Sequence, residues 1–141
     1  MKTASTTIFI LCCTLLAGSA TTPRPSFDHP LIGSWTWIRD VNNCQEIYIF
    51  RENGSLTTLS GSARFENEYQ VHPKPLENGL HQVDAVITDR TDGAHCADGE
   101  ASPIGLEFTI FIAFSSSNQE LLMLYDRDGR DGFGPLTRIT P

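Results

Sequence analysis

Past its first twenty residues the chain has no long hydrophobic run, it is short of basic side chains throughout, and only two of its four cysteines remain beyond that point. Each shortage excludes something. A membrane-crossing helix needs about 20 consecutive apolar residues, and no later stretch supplies them. Lys and Arg number 10 against 17 Asp and Glu, for a formal net charge of −7. Such a balance lacks the basic footprint that nucleic acid or an anionic membrane surface demands. It suits simple solubility, or a basic protein partner. No segment of useful length carries a helical period either, so helical classes drop out.

The one apolar run that exists stands at the start. Lys2 precedes Ile8-Phe9-Ile10-Leu11-Cys12-Cys13-Thr14-Leu15-Leu16-Ala17, and Gly18-Ser19-Ala20 follow as small residues. That order reads as a secretory signal cleaved after Ala20. A lipid anchor would need Cys where Ser19 stands. Removing residues 1–20, which hold Lys2 and no acid, takes the net charge from −7 to −8. The mature chain is then a Pro-containing leader over residues 21–30 and one domain over 31–141, exported to a periplasmic or extracellular space.

Cys44 and Cys96 are what cleavage leaves. Two cysteines in a small exported domain read most simply as one disulfide. It would pin the loop that holds Cys96 to the barrel mouth. A metal site using Cys96 with His95 and Asp98 is the competing idea, but no second ligand pair at metal-like spacing accompanies them.

After Leu31 the chain breaks into eight short strand candidates separated by turn chemistry: residues 34–39, 45–51, 56–59, 63–72, 80–88, 106–114, 120–125 and 133–140. Asn53-Gly54 marks a type I′ hairpin. In the fourth run Ala63, Phe65, Tyr69 and Val71 alternate with Arg64, Glu66, Glu68, Gln70 and His72, the pattern of a sheet with one dry face. Val83, Ala85 and Ile87 point inward from the fifth run, and Leu106, Phe108, Ile110, Ile112 and Phe114 from the sixth. Eight strands joined by short turns close into an all-β, antiparallel, up-and-down barrel whose interior is filled by side chains or holds one small ligand. Closure sets the first strand beside the last. Trp35, preceded by Gly33, then lies at the floor with Arg138 over it as a cation–π partner.

On these residues the chain resembles the calycin superfamily of lipocalins, avidins and bacterial metalloprotease inhibitors: Gly33-Ser34-Trp35 opens the first strand and Arg138 stands on the last. It is also similar to small exported bacterial proteins of lipocalin-like appearance. Those share the Gly-Ser-Trp-Thr-Trp opening, the Asn43-Cys44-Gln45-Glu46 region and the Phe133-Gly134-Pro135-Leu136 close. The calycin resemblance implies a barrel that binds rather than catalyses. In the protease inhibitors a segment before the Gly-x-Trp strand enters the protease cleft, and residues 22–30 stand in the matching place.

Candidate chemistry is otherwise sparse. Trp37, Phe65, Tyr69, Ile87, Phe108, Ile110 and Ile112 either line a cavity for an apolar molecule or fill the interior. Asp126-Arg127-Asp128-Gly129-Arg130-Asp131-Gly132 has alternating oxygens, yet Arg130 occupies the third acid position of a calcium loop, and a charged turn is the better reading. His29, His72, His81 and His95 are scattered without a nucleophile partner, and Glu46, Glu66, Glu68 and Glu107 are expected to face solvent. Asn53-Gly54-Ser55 matches a glycosylation sequon that the hairpin already explains. The expectation is a monomeric binding protein without catalytic residues, metal or cofactor, carrying or sequestering a small apolar ligand. The alternative is a hydrolase inhibitor acting through the leader and the loops at 42–44, 73–79 and 91–105.

Overall fold

The computed structural model describes residues 29–140; the signal segment and residues 21–28 of the leader lie outside them. Eight strands follow in chain order: β1 (Gly33–Ile38), β2 (Gln45–Phe50), β3 (Ser55–Ser60), β4 (Ala63–Val71), β5 (His81–Arg90), β6 (Glu107–Phe114), β7 (Glu120–Leu124) and β8 (Gly132–Ile139). Each pairs antiparallel with the next, and β8 pairs back onto β1, so the sheet is a closed barrel. Every expected strand is present, with ends displaced by no more than two residues. Closure leaves no open strand edge along the barrel wall.

The seam is built around the indole. Trp35 faces Arg138 across the β1–β8 ladder and is fully buried. Its Nε1–H donates to the Leu31 carbonyl at 2.9 Å, and the Arg138 guanidinium carbon lies 4.1 Å from the ring centroid. That guanidinium also donates to the carbonyls of Pro30, Ile32 and Asn118. One cation thus ties the incoming chain, the last strand and the β6–β7 turn together. Gly33 is required between them: its φ is +131°, and a Cβ there would stand 2.7 Å from Arg138 Nη1. Around the indole, Leu31, Phe50, Val83, Ile112, Leu121, Met123 and Leu136 are buried almost completely. This lower half of the barrel is a packed core.

Strand alternation places connections at two ends. The lower end holds the incoming chain, the β2–β3 and β6–β7 turns and the β4–β5 connection. The upper end, the mouth, holds the β1–β2, β3–β4, β5–β6 and β7–β8 connections. The loop at 73–79 therefore does not belong to the mouth. It folds against the outer wall, where Leu76 joins Leu80, Phe111 and Leu124, and Asn78 Nδ2 reaches the Arg127 carbonyl at 2.8 Å. The incoming chain at 29–32 also meets the barrel at the lower end, opposite the loops at 42–44 and 91–105. Leu106 departs from expectation too. It precedes β6, its N–H turns back to the Pro103 carbonyl, and it is exposed.

At the lower end His29 docks on His81. The Leu31 N–H donates to His29 Nδ1 at 3.2 Å, so a neutral His29 carries its proton on Nε2, which lies 3.4 Å from His81 Nδ1. Both rings stand edge-on to Phe114. Burial lowers the pKa of both imidazoles, and His81 lowers that of His29 further. The chain of donors closes only when both rings are neutral. Because the folded values are depressed, the stability from this contact is complete above the ordinary imidazole value of about 6.5 and fades as pH falls through the depressed values. Titration of the imidazole nitrogen shifts should give midpoints below about 6.5 for both residues; midpoints at or above it would contradict the docking. Trp35→Ala should lower unfolding stability by about 3–5 kcal/mol, read by chemical denaturation, and an unchanged midpoint would remove the indole from its floor role.

Candidate functional site

The upper half of the barrel differs in composition from the lower. Period-2 alternation carries Trp37, Glu46, Tyr48, Thr58, Ser60, Phe65, Phe108 and Phe133 to the inner face above the core, following the pairings Trp37↔Glu46, Tyr48↔Thr58, Thr58↔Phe65, Ala85↔Phe108 and Met123↔Phe133. Trp37, Tyr48, Phe65, Phe108 and Phe133 are only half-buried, so apolar ring surface stays uncovered at this end. Trp37 and Phe133 stand 4.6 Å apart between centroids, with planes inclined by 37°. Tyr48 and Tyr125 flank Phe133 at 6.1 and 5.7 Å.

A polar cluster sits beside these rings. Glu46 is buried at 6% exposure and accepts from Tyr48 Oη at 2.6 Å and from Ser60 Oγ at 2.8 Å. Arg39 Nη1 lies 3.7 Å from Glu46 Oε1, and the Arg39 guanidinium carbon is 5.4 Å from the Trp37 centroid. Burial, then the neighbouring Glu46 carboxylate, pushes the Tyr48 phenol well above its usual value, which keeps it a donor. Among the described residues, the Nε of Arg39 is shielded from solvent and meets no hydrogen-bond acceptor.

The disulfide ties this cluster to the rim. Cys44 and Cys96 are joined. The Cys96 N–H donates to Ser60 Oγ at 2.9 Å, and Asn42 Nδ2 donates to the Cys96 carbonyl at 2.8 Å. A relay therefore runs from the loop at 91–105 through Ser60 to Glu46. With its sulfur in the bridge, Cys96 is no thiolate ligand. Among the described residues no group of three or more His, Cys, Asp or Glu is placed to hold a metal ion, and no helix is long and apolar enough to cross a membrane. Beside the bridge, a cleft with room for about 360 Å³ opens along the loop, lined by Arg90, Asp92, His95 and small residues. The His95 ring meets Phe65 edge-on at 6.4 Å, so this cleft adjoins the barrel interior.

The expected lining residues divide between the two halves. Tyr69, Ile110 and Ile112 belong to the packed core and Ile87 is buried, whereas Trp37, Phe65 and Phe108 face the open end. Glu46 was expected to face solvent and faces inward instead. It shares the parity of Tyr48 and Phe50, and its charge is tolerated because two hydroxyls and a guanidinium surround it. Asn67 is buried too, with Nδ2 donating to the Leu56 carbonyl at 3.1 Å. Nothing in the sequence singles out Arg39 or Tyr125, the last residues of the first and seventh strand candidates, which stand one residue past the ends of β1 and β7.

Reduction should remove up to about 4 kcal/mol of stability, the chain-entropy figure for a loop of this size, read as a drop in melting temperature with dithiothreitol. An unchanged melt alongside two titratable thiols would show that the bridge does nothing. No protein-family model matches this chain, and no curated protein or solved structure matches it.

Proposed function

We propose that this is an exported, calycin-like binding protein that carries or sequesters a small apolar ligand in the upper half of its barrel. The observation behind this reading is the contrast between the two halves. Below Trp37 the interior is filled by side chains; at the open end five aromatic rings, Trp37 among them, keep uncovered surface. Apolar concavities with a few convergent polar groups are the usual form of small-molecule sites, and Glu46, Tyr48 and Arg39 are such groups. The disulfide agrees with an oxidising compartment, as does the export signal read at residues 1–20.

The neutral probe N-phenyl-1-naphthylamine should brighten on titration with the protein. Trp37→Phe should weaken its binding severalfold, and deletion of residues 21–28 should leave it unchanged. Absence of any brightening would sink the carrier reading.

A second reading is a hydrolase inhibitor, favoured by the exposed Val41, Ile104 and Tyr125 on mouth connections. Its contact surface would be the rim, since residues 29–32 enter at the other end. Inhibition of exported proteases or lysozyme that survives deletion of residues 21–28 and fails on Val41→Asp would support it over the carrier.

A further inference from the structure

The outer wall of the barrel is divided by charge. Strands β4 to β7 carry Arg64, Glu66, Glu68, Asp84, Glu107 and Glu120 at outward positions. Strands β8, β1, β2 and β3 are neighbours around the seam and hold two charged residues between them, Glu46 and Arg138. Both face inward, Glu46 to Ser60 and Arg138 over Trp35. The outward face of these four strands is therefore neutral. Thr36 pairs with Ile47 and Ile47 with Leu59 across it, and Gln45 Nε2 donates to Thr36 Oγ1 at 3.0 Å. Ile38 and Ile139, at its two ends, are 52% and 41% exposed. Where the wall meets β4 a polar network borders it. Arg51 Nη1 donates to Thr57 Oγ1 and that hydroxyl to Glu66 Oε2, each at 2.8 Å, and Arg64 pairs with Glu66. A patch depleted of charge at its centre and polar at its border has the anatomy of a protein interface.

Net charge decides what covers it. The chain carries −7, and two copies approaching through β4 to β7 would set carboxylates against carboxylates. On the neutral wall they meet without that repulsion. A cationic partner gains nothing from this wall and is drawn to the acidic one instead. The face is also complementary to itself. Threonine hydroxyls and the Gln45 amide both donate and accept, and the inner faces of two packed sheets interdigitate with their strands nearly aligned. A two-fold axis sets such a patch on its own copy. With strands of six residues in β1, β2 and β3, four strands at about 4.8 Å spacing and about 3.4 Å rise per residue give a footprint of about 400 Å². That is the small, weak end of specific interfaces.

We propose that the outer wall of β8, β1, β2 and β3 is the two-fold interface of a weak homodimer, sheet packed on sheet with the mouth left free. A dimer departs from the monomer expected from the sequence. It goes beyond the carrier reading and does not depend on it.

Sedimentation equilibrium on the exported protein should show a monomer–dimer exchange with a dissociation constant below about 1 mM. Raising the salt from about 0.05 to 0.5 M should tighten it severalfold, because salt screens the repulsion between two acidic copies. Ile47→Lys, at the centre of the wall, should weaken the dimer at least about tenfold by setting two cations into the contact. Val86→Lys makes the same change of net charge on the far wall and should leave it within about twofold. On the unmodified protein, dilution should shift the methyl resonances of Ile38, Ile47, Ile49 and Ile139 and leave those of Val86 in place, a readout that stands even where a variant fails to fold. A monomer at about 1 mM, a dimer loosened by salt, or equal weakening by the two lysines would overturn the proposal. So would wall methyls that move only on addition of phosphatidylcholine vesicles, which would assign the wall to a lipid surface.

Discussion

Everything in this barrel depends on one guanidinium. Arg138 touches the incoming chain, the first strand and the β6–β7 turn from its place on the last strand. Without it the carbonyls of Pro30 and Ile32 would lose their donor, and the lower face of Trp35 would lose its cover. The interaction is strong because it is shared. A cation stacked on an indole contributes on the order of 0.5–2 kcal/mol, and its three carbonyl contacts fix it in the one orientation that seals the floor. Gly33 is the concession this arrangement requires, since no side chain fits between the strand and the cation.

With the floor sealed, the molecule separates into two environments. The lower half is dense and apolar. The upper half keeps a buried carboxylate, two hydroxyls and a guanidinium among half-covered rings. Buried polar groups survive where they are fully partnered, and Glu46 meets that condition while Arg39 Nε does not.

The architecture was legible because its signals are local. Asn53-Gly54, the alternation through β4 and the Gly-x-Trp opening each specify their own segment, and together they leave few ways to close. The inward face of β2 was less visible. Ile47-Tyr48-Ile49-Phe50 is apolar on both faces, so the run hides which parity is interior and hides Glu46 with it. Asn67 could have been found, since it falls between Phe65 and Tyr69 on the dry face of β4. The pairing of His29 with His81 had no sequence signal. It arises because residues 29–32 fold beneath the floor, a tertiary event that no spacing announces. The loop at 73–79 misled for a similar reason: its Leu76 finds cover on the outer wall, which strand alternation alone does not reveal.

The bridge between residues 44 and 96 also bears on how the cylinder forms. The seam joins residues 35 and 138, among the most distant neighbours in the chain. Crossing from Cys44 to Cys96 makes the covalent path between them about half as long, and halving a loop lowers its closure entropy by roughly 0.6 kcal/mol. An oxidised chain therefore searches a smaller space before its ends meet, and oxidation ahead of collapse would speed assembly as well as strengthen the finished protein.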